Sequence, residues 1–288
     1  MKFQVRQLAI AGLLGALVVV LGLTPLGFVP VPTPAGSATT IHIPVILAGV
    51  LEGPVVGGVV GFIFGLFSWV RNAMAPSNPV AAVLFADPLV TFVPRIAIGI
   101  VAYYAYAAVR NRRGRAIVAL LAGLLAFAAA RSLWQRVAGA PSGAGTLVAL
   151  ALGLAVAAGA VFGQRRERPL LAYATAALVG IIFGAWVFLG VGLKWAAAWR
   201  AIAAIAAAAA VGGAFAFAFG GEGTAAGFAA MLGTATNTAG VLGFAVLRGY
   251  LPAPAAWTVA VVQGLPECFV AAVLVVLIER GVRRALRR

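Results

Sequence analysis

Gly53, Gly57, Gly61 and Gly65 fall four residues apart in an apolar stretch. Residues four apart share one face of a helix, so such a helix carries a strip without side chains. Within lipid, where helices associate by packing, that strip lets another backbone come close. The ladder starts sharply. Leu51-Glu52-Gly53-Pro54 ends one helix, turns, and opens the next with proline in its first turn, where a missing N–H costs nothing. The expected object is a tight helical hairpin with a bare glycine face, lodged in a membrane.

Composition supports the membrane. Of 288 residues, 64% are hydrophobic and 9% charged, and the mean hydropathy is +1.09. This excludes an ordinary soluble domain. No polar stretch exceeds a loop, which leaves no room for a soluble catalytic domain. The net charge of +15 does not point to nucleic acid, because it sits in short clusters between apolar spans. Cys268 has no second cysteine to pair with inside the chain. Lys2 and Arg6 precede an apolar run without an A-x-A-like cleavage site, so the first segment reads as a retained helix rather than a signal peptide.

Ten apolar segments can be marked, near 7–23, 40–52, 54–71, 87–109, 116–138, 145–163, 169–193, 196–220, 223–249 and 255–279. The second is too short for a ~30 Å hydrocarbon core at ~1.5 Å per residue. The proline-rich stretch 24–40 precedes it, which suggests a loop dipping into the membrane. Irregular backbone survives there only inside protein or beside a polar cavity. With the N-terminus inside, cytoplasmic positions receive fourteen of the 21 Lys and Arg residues: Lys2 and Arg6, then those in 110–115, 165–168 and 280–288. That asymmetry predicts both termini in the cytoplasm. The alanine-rich middle carries four segments whose removal preserves topology, and it reads as an insertion. Its first segment, 116–138, is a span or an interfacial helix.

Ionisable groups at membrane depth are functional candidates. By helix rise, Arg95 lies ~12 Å and Glu267 ~18 Å from the outer starts of their helices. With Asn237 and Gln263 they form a mid-depth layer. Arg95 and Glu267 are expected either to pair or to floor a ligand pocket. Thr40 and His42, at the outer start of the short helix, are candidate ligand contacts; a lone histidine is more often structural than a metal ligand. Arg71, Asn72 and Asn78 read as an outer loop that meets an anionic ligand or is merely solvated. Asp87 reads as a helix cap, and Glu52 as a solvated turn residue. There is no G-K-[ST] phosphate loop, H-E-x-x-H site or G-x-S-x-G elbow, so no catalytic residue, metal or cofactor is expected and ATP hydrolysis would need a partner.

Five motifs then carry a resemblance. Thr40-Ile41-His42-Ile43-Pro44 running on to Gly49, Gly53-Pro54 with the ladder, Asp87-Pro88-Leu89-Val90 with Val93-Pro94-Arg95-Ile96, Thr236-Asn237-Thr238, and Gly264-Leu265-Pro266-Glu267 occur in order. Together they resemble the substrate-binding (S) components of energy-coupling factor (ECF) transporters, over about 1–112 and 223–288. The resemblance implies an all-α polytopic membrane protein. A six-helix core (1–112 and 223–288) would hold about four inserted helices in 113–222. It implies a prokaryotic plasma-membrane protein that captures a vitamin from outside and works with a transmembrane coupling subunit and two cytoplasmic ATPases. A small-xxx-small face on the first helix, here Gly12 and Ala16, would dock the coupling subunit. The ligand site would lie in the outer half, with Thr40, His42, Asn72, Arg95, Asn237, Gln263 and Glu267 as its expected residues. The motifs are closest to members that take pantothenate-like or folate-like ligands. Two departures stand out: Gln263 replaces a common asparagine, and the insertion would have to move with any toppling of the core. The contrasting classes are a proton-coupled secondary transporter using Glu267 and an assembly protein without a ligand.

Overall fold

The computed structural model describes residues 4–30, 37–111, 143–162, 169–190 and 224–285, with single positions between 116 and 135 and Gly212 besides. The chain is an all-α polytopic membrane protein. Among the described residues, four helices are long and apolar enough to cross a bilayer: Val5–Leu23, Pro54–Met74, Pro88–Arg110 and Ala225–Leu247. The chain divides into two compact units, one formed by Met1–Tyr106 with Ala229–Arg288 and the other by Ala107–Phe228.

In the first unit, α1 (Val5–Leu23) turns Ala11, Gly15, Val18 and Gly22 inward, a spacing of three to four that defines one helical stripe. Gly15 lies against Ile63 and Gly22 against Phe67, so α1 rests on α3 (Pro54–Met74). Leu8, Leu13, Leu17 and Val20 are exposed on its other side, as suits a face toward lipid. The proline-rich stretch then departs from a purely helical expectation. Phe28–Pro30 (β1) pairs antiparallel with Ser37–Thr39 (β2), Phe28 opposite Thr39, in a two-stranded ribbon.

The next helix, α2 (Ile43–Glu52), is buried from Ile43 through Val50. A helix apolar on every side belongs inside protein, and ten residues reach only ~15 Å. His42 precedes it, and Pro44 occupies its first turn. Gly53 joins it to α3 with φ of 102°, which L side chains rarely adopt. Gly53 therefore makes the turn and is not a rung of the packing ladder. Glu52 is not solvated as expected. Its side chain is 7% exposed and accepts a 2.8 Å hydrogen bond from Arg6 Nη2, tying the start of α1 to the hairpin.

The remaining rungs meet backbone. A Cβ on Gly57 would come within 2.8 Å of Gly49 Cα and 2.9 Å of Gly99 Cα. One on Gly61 would strike the Arg95 carbonyl and come within 2.9 Å of Ile96 Cα. Gly65 faces Phe92 and Thr91. The strip is thus the bed of α5 (Pro88–Arg110). A short helix, α4 (Pro79–Leu84), lies between the two and is capped by Asn78, whose Oδ1 accepts from Ala81 N at 2.8 Å. Arg71 and Asn72 belong to the last turn of α3 rather than to an outer loop.

In the second unit, α6 (Gly143–Phe162) and α7 (Pro169–Gly190) form an apolar cluster with described positions of 116–135. Ala119, Ala126, Ala149, Val156, Ala176 and Val179 are buried there. The segment expected at 196–220 lies outside the described residues, apart from Gly212. The chain returns through α8 (Thr224–Leu247). Its Gly233 packs on Ile46 and its Gly240 on Pro94. The last helical stretch is α9 (Ala253–Val259), a π-helical turn (Ala260–Gly264) and α10 (Leu265–Ala285).

Gly61→Ala is expected to destabilise the purified protein by about 1–3 kcal/mol, because the new methyl meets backbone that cannot rotate away. Gly58→Ala is the control: its Cβ would stand 3.7 Å from Ile100, an ordinary contact, and alanine is the better helix former. Thermal unfolding in detergent checks the pair; equal melting temperatures would refute the backbone-contact reading.

Candidate ligand site

Pro94 stands inside α5 and has no N–H, so Val90, four residues earlier, keeps a free carbonyl. Arg95 Nη1 donates to that carbonyl at 2.6 Å. The proline creates an acceptor, and the next residue uses it to fix a guanidinium 4% exposed at membrane depth. Two rings flank the cation, with Phe85 and Phe64 centroids 5.0 and 5.5 Å from Cζ. Nε of Arg95 is buried and meets no partner among the described residues.

Arg95 lines a cavity of about 140 Å³ within the first unit. Asn72, Asn237, Gln263 and Glu267 line it too, so five of the seven residues expected from sequence share one space. Asn237 is 8% exposed, and its Oδ1 has no partner among the described residues. Gln263 falls in the π-helical turn, Gly264 packs on Thr238, and Glu267 follows in the first turn of α10. Such a turn inserts an extra residue into the helical repeat, a distortion frequent at functional sites. Asn72 lies higher on the wall, with Nδ2 donating to the Ala82 carbonyl at 3.1 Å.

Two expectations need correction. Arg95 and Glu267 form no ion pair among the described residues. Glu267 Oε1 instead accepts from Thr39 N–H at 2.6 Å and from Gln263 Nε2 at 3.3 Å. Both residues line the cavity. Thr40 and His42 lie outside that lining. His42 is fully buried, with Thr234 Oγ1 2.9 Å from Nε2 and Thr39 Oγ1 3.5 Å from Nδ1, and Thr40 Oγ1 donates to the Leu26 carbonyl. Both hold the junction of ribbon and helix.

Sequence reasoning missed the ribbon's part. Phe28 and Thr39 line the cavity, and Arg71 Cζ sits 4.1 Å from the Phe28 ring centroid. Phe64 and Phe85 were also missed, because a phenylalanine within or beside an apolar span carries no signal that separates a cavity wall from core. Gly12 and Ala16 are exposed on α1, and a Cβ on Gly12 would meet nothing within 4 Å.

Asp87 does more than cap. Its Oδ1 accepts from Leu89 N at 2.9 Å, while Oδ2 accepts from Arg248 Nε at 2.7 Å and the Tyr250 hydroxyl at 3.1 Å. Opposite charges flanking two helix ends were the available signal. The Arg248 hydrogen bond holds the Asp87 carboxyl below its ordinary range; burial opposes this, and the Leu89 and Tyr250 hydrogen bonds reinforce it. Beneath the tie lies an apolar cluster of Leu84, Val90, Val241 and Ala245.

Residues 6–134 match the sequence model of a family described as the ECF transporter, substrate-specific component. The pantothenic acid transporter PanT of Lactococcus lactis subsp. cremoris (strain MG1363) is 32% identical over 102 residues, which cover 31% of this chain and 48% of that protein. The chain thus spans about half the length of this curated relative.

The Asp87 tie gives a signed pH dependence. A carboxyl with a lowered folded pKa stabilises fully above its ordinary value, about 4, and loses that contribution as pH falls through the folded value. Wild-type melting temperature is expected to drop on acidification below about pH 4, and Asp87→Asn to be less stable at neutral pH with a shallower acid dependence. Parallel curves for the two proteins would refute the tie.

Proposed function

We propose, for a chain whose residues 6–134 match the family of ECF transporter substrate-specific components, that it captures a small vitamin-like molecule from outside a prokaryotic cell. It then passes the molecule inward with a transmembrane coupling subunit and two cytoplasmic ATPases. The observation that carries this reading is the cavity lined by Arg95, Asn237, Gln263 and Glu267, with Phe28 and Thr39 of the ribbon also in its wall. A site with a few convergent polar groups in an otherwise apolar wall suits small-molecule recognition.

The relative's name favours a pantothenate-like ligand over the folate-like class. The Lys and Arg distribution supports both termini in the cytoplasm. Gly12 and Ala16, small and exposed on α1, fit the docking face for the coupling subunit. Residues 113–222 are read as an inserted membrane region beside a core of 1–112 and 223–288, a reading supported by the compactness of Ala107–Phe228.

The test is reconstitution in vesicles with and without the coupling subunit and ATPases. Labelled pantothenate should bind the chain alone but accumulate only with the complete set and ATP. An ATPase variant lacking its phosphate-loop lysine should abolish uptake and spare binding. Uptake by the chain alone, collapsed by an uncoupler, would overturn this function.

A further inference from the structure

Resting on the ligand-capturing role just proposed, we infer that the cavity selects a hydroxy- or amido-carboxylate and holds it anion-inward, with its carboxylate on Arg95 and a hydroxyl or amide N–H on Asn237. Two orphaned atoms of opposite polarity carry the inference. Arg95 Nε is a donor and Asn237 Oδ1 an acceptor; both are buried and lack partners among the described residues, and the two residues line one cavity. They are also neighbours in the fold. Asn237 lies three residues, about one turn, before Gly240, and Gly240 packs on Pro94, the residue before Arg95.

Each atom excludes ligands that the other would accept. The guanidinium has one nitrogen on Val90 and rings beside it, and its Nε edge is the side from which planar carboxylates are recognised. Among the described residues no carboxylate pairs with it, and a buried cation without a counter-charge is costly. The charged lining residues are Arg71, Arg95 and Glu267. Two of these three are cations, so the lining favours an anionic ligand whether or not Glu267 is ionised. A carboxylate alone, however, has no hydrogen to give Asn237 Oδ1. The same ligand must therefore carry a donor near its anionic end. Cations fail at Arg95, and plain fatty carboxylates fail at Asn237.

Orientation follows from the two arginines. Arg71 is partly exposed in the last turn of α3 and stacks on Phe28 of the ribbon. Arg95 is buried deep in α5. An anion gains more where water competes less, so Arg71 is left to the ligand's neutral end and the ribbon.

The test measures binding to the full chain in detergent, using pantothenate and its alcohol analogue, in which CH₂OH replaces the carboxylate. Wild type should bind the alcohol about 100-fold more weakly, the scale of a buried charged hydrogen bond. Arg95→Gln should bring the two ligands within a few-fold of each other. Asn237→Ala should weaken both about equally, by about 10-fold, and Arg71→Gln should leave their ratio unchanged. The ratio within one variant does not depend on how much of it folds, and the wild-type comparison needs no variant. Equal wild-type affinity for both ligands, or discrimination that survives Arg95→Gln, would overturn the anion-inward site and leave the capturing role intact. So would a co-purifying ligand that is cationic or lacks a carboxylate. Failure of both probes to bind, with no small molecule co-purifying, would sink the capturing role itself and this inference with it.

Discussion

The contact on which the first unit depends is backbone against backbone. Gly57 and Gly61 of α3 lie directly on Gly99, Ile96 and the Arg95 carbonyl of α5. No side chain separates the two helices there, so their spacing is set by main-chain atoms with almost no freedom to adjust. In a membrane this matters more than in water, because apolar side chains gain little by leaving lipid and close packing must supply the attraction. The rung that carries Gly61 touches the very residue whose side chain serves the cavity. The scaffold and the site are therefore one construction, and the ladder fixes where Arg95 begins.

Breaks in regular helix do the rest. Pro94 removes one donor from α5, and the freed carbonyl of Val90 becomes the anchor of Arg95. The π-helical turn at Ala260–Gly264 does the corresponding work on the facing wall, just before Glu267. Glu267 then accepts from the backbone of Thr39, so a hydrogen bond holds the ribbon to the cavity wall. Each break costs helix regularity, and each coincides with a polar group that lines the cavity. That pairing is the usual mark of a functional site rather than of faulty packing.

Much of this was legible in the sequence, and the limits have physical causes. Helix positions follow from long apolar runs, and the mid-depth layer follows from helix rise, because both are one-dimensional properties. The shared lining of Arg95, Asn237, Gln263 and Glu267 was within reach for that reason. Azimuth was not. The same depth is compatible with an Arg95–Glu267 pair or with two separate walls, and only the rotation of α10 after its π-helical turn decides. The ribbon was hidden because three-residue strands among prolines carry no period to read. His42 reads as a ligand contact from its place beside the proline-rich loop, while the partner that claims it, Thr234, lies nearly two hundred residues away in sequence.

The two ties at opposite ends of the first unit show how such a cavity can be both rigid and open to a ligand. Arg6 and Glu52 link α1 to the hairpin at one end, and Asp87, Arg248 and Tyr250 link α5 to the segment after α8 at the other. Both ties sit at helix ends, where water is near and ion pairs cost less desolvation than at depth. The mid-depth layer is only partly compensated: Glu267 is bonded to Thr39 and Gln263, while Arg95 and Asn237 each keep a polar atom without a partner among the described residues. Stability resides in the ends and the glycine contact, and the unspent polarity is concentrated in the middle. A binding site in a membrane protein requires that division, because a layer already paired within the protein would have nothing left to offer a ligand.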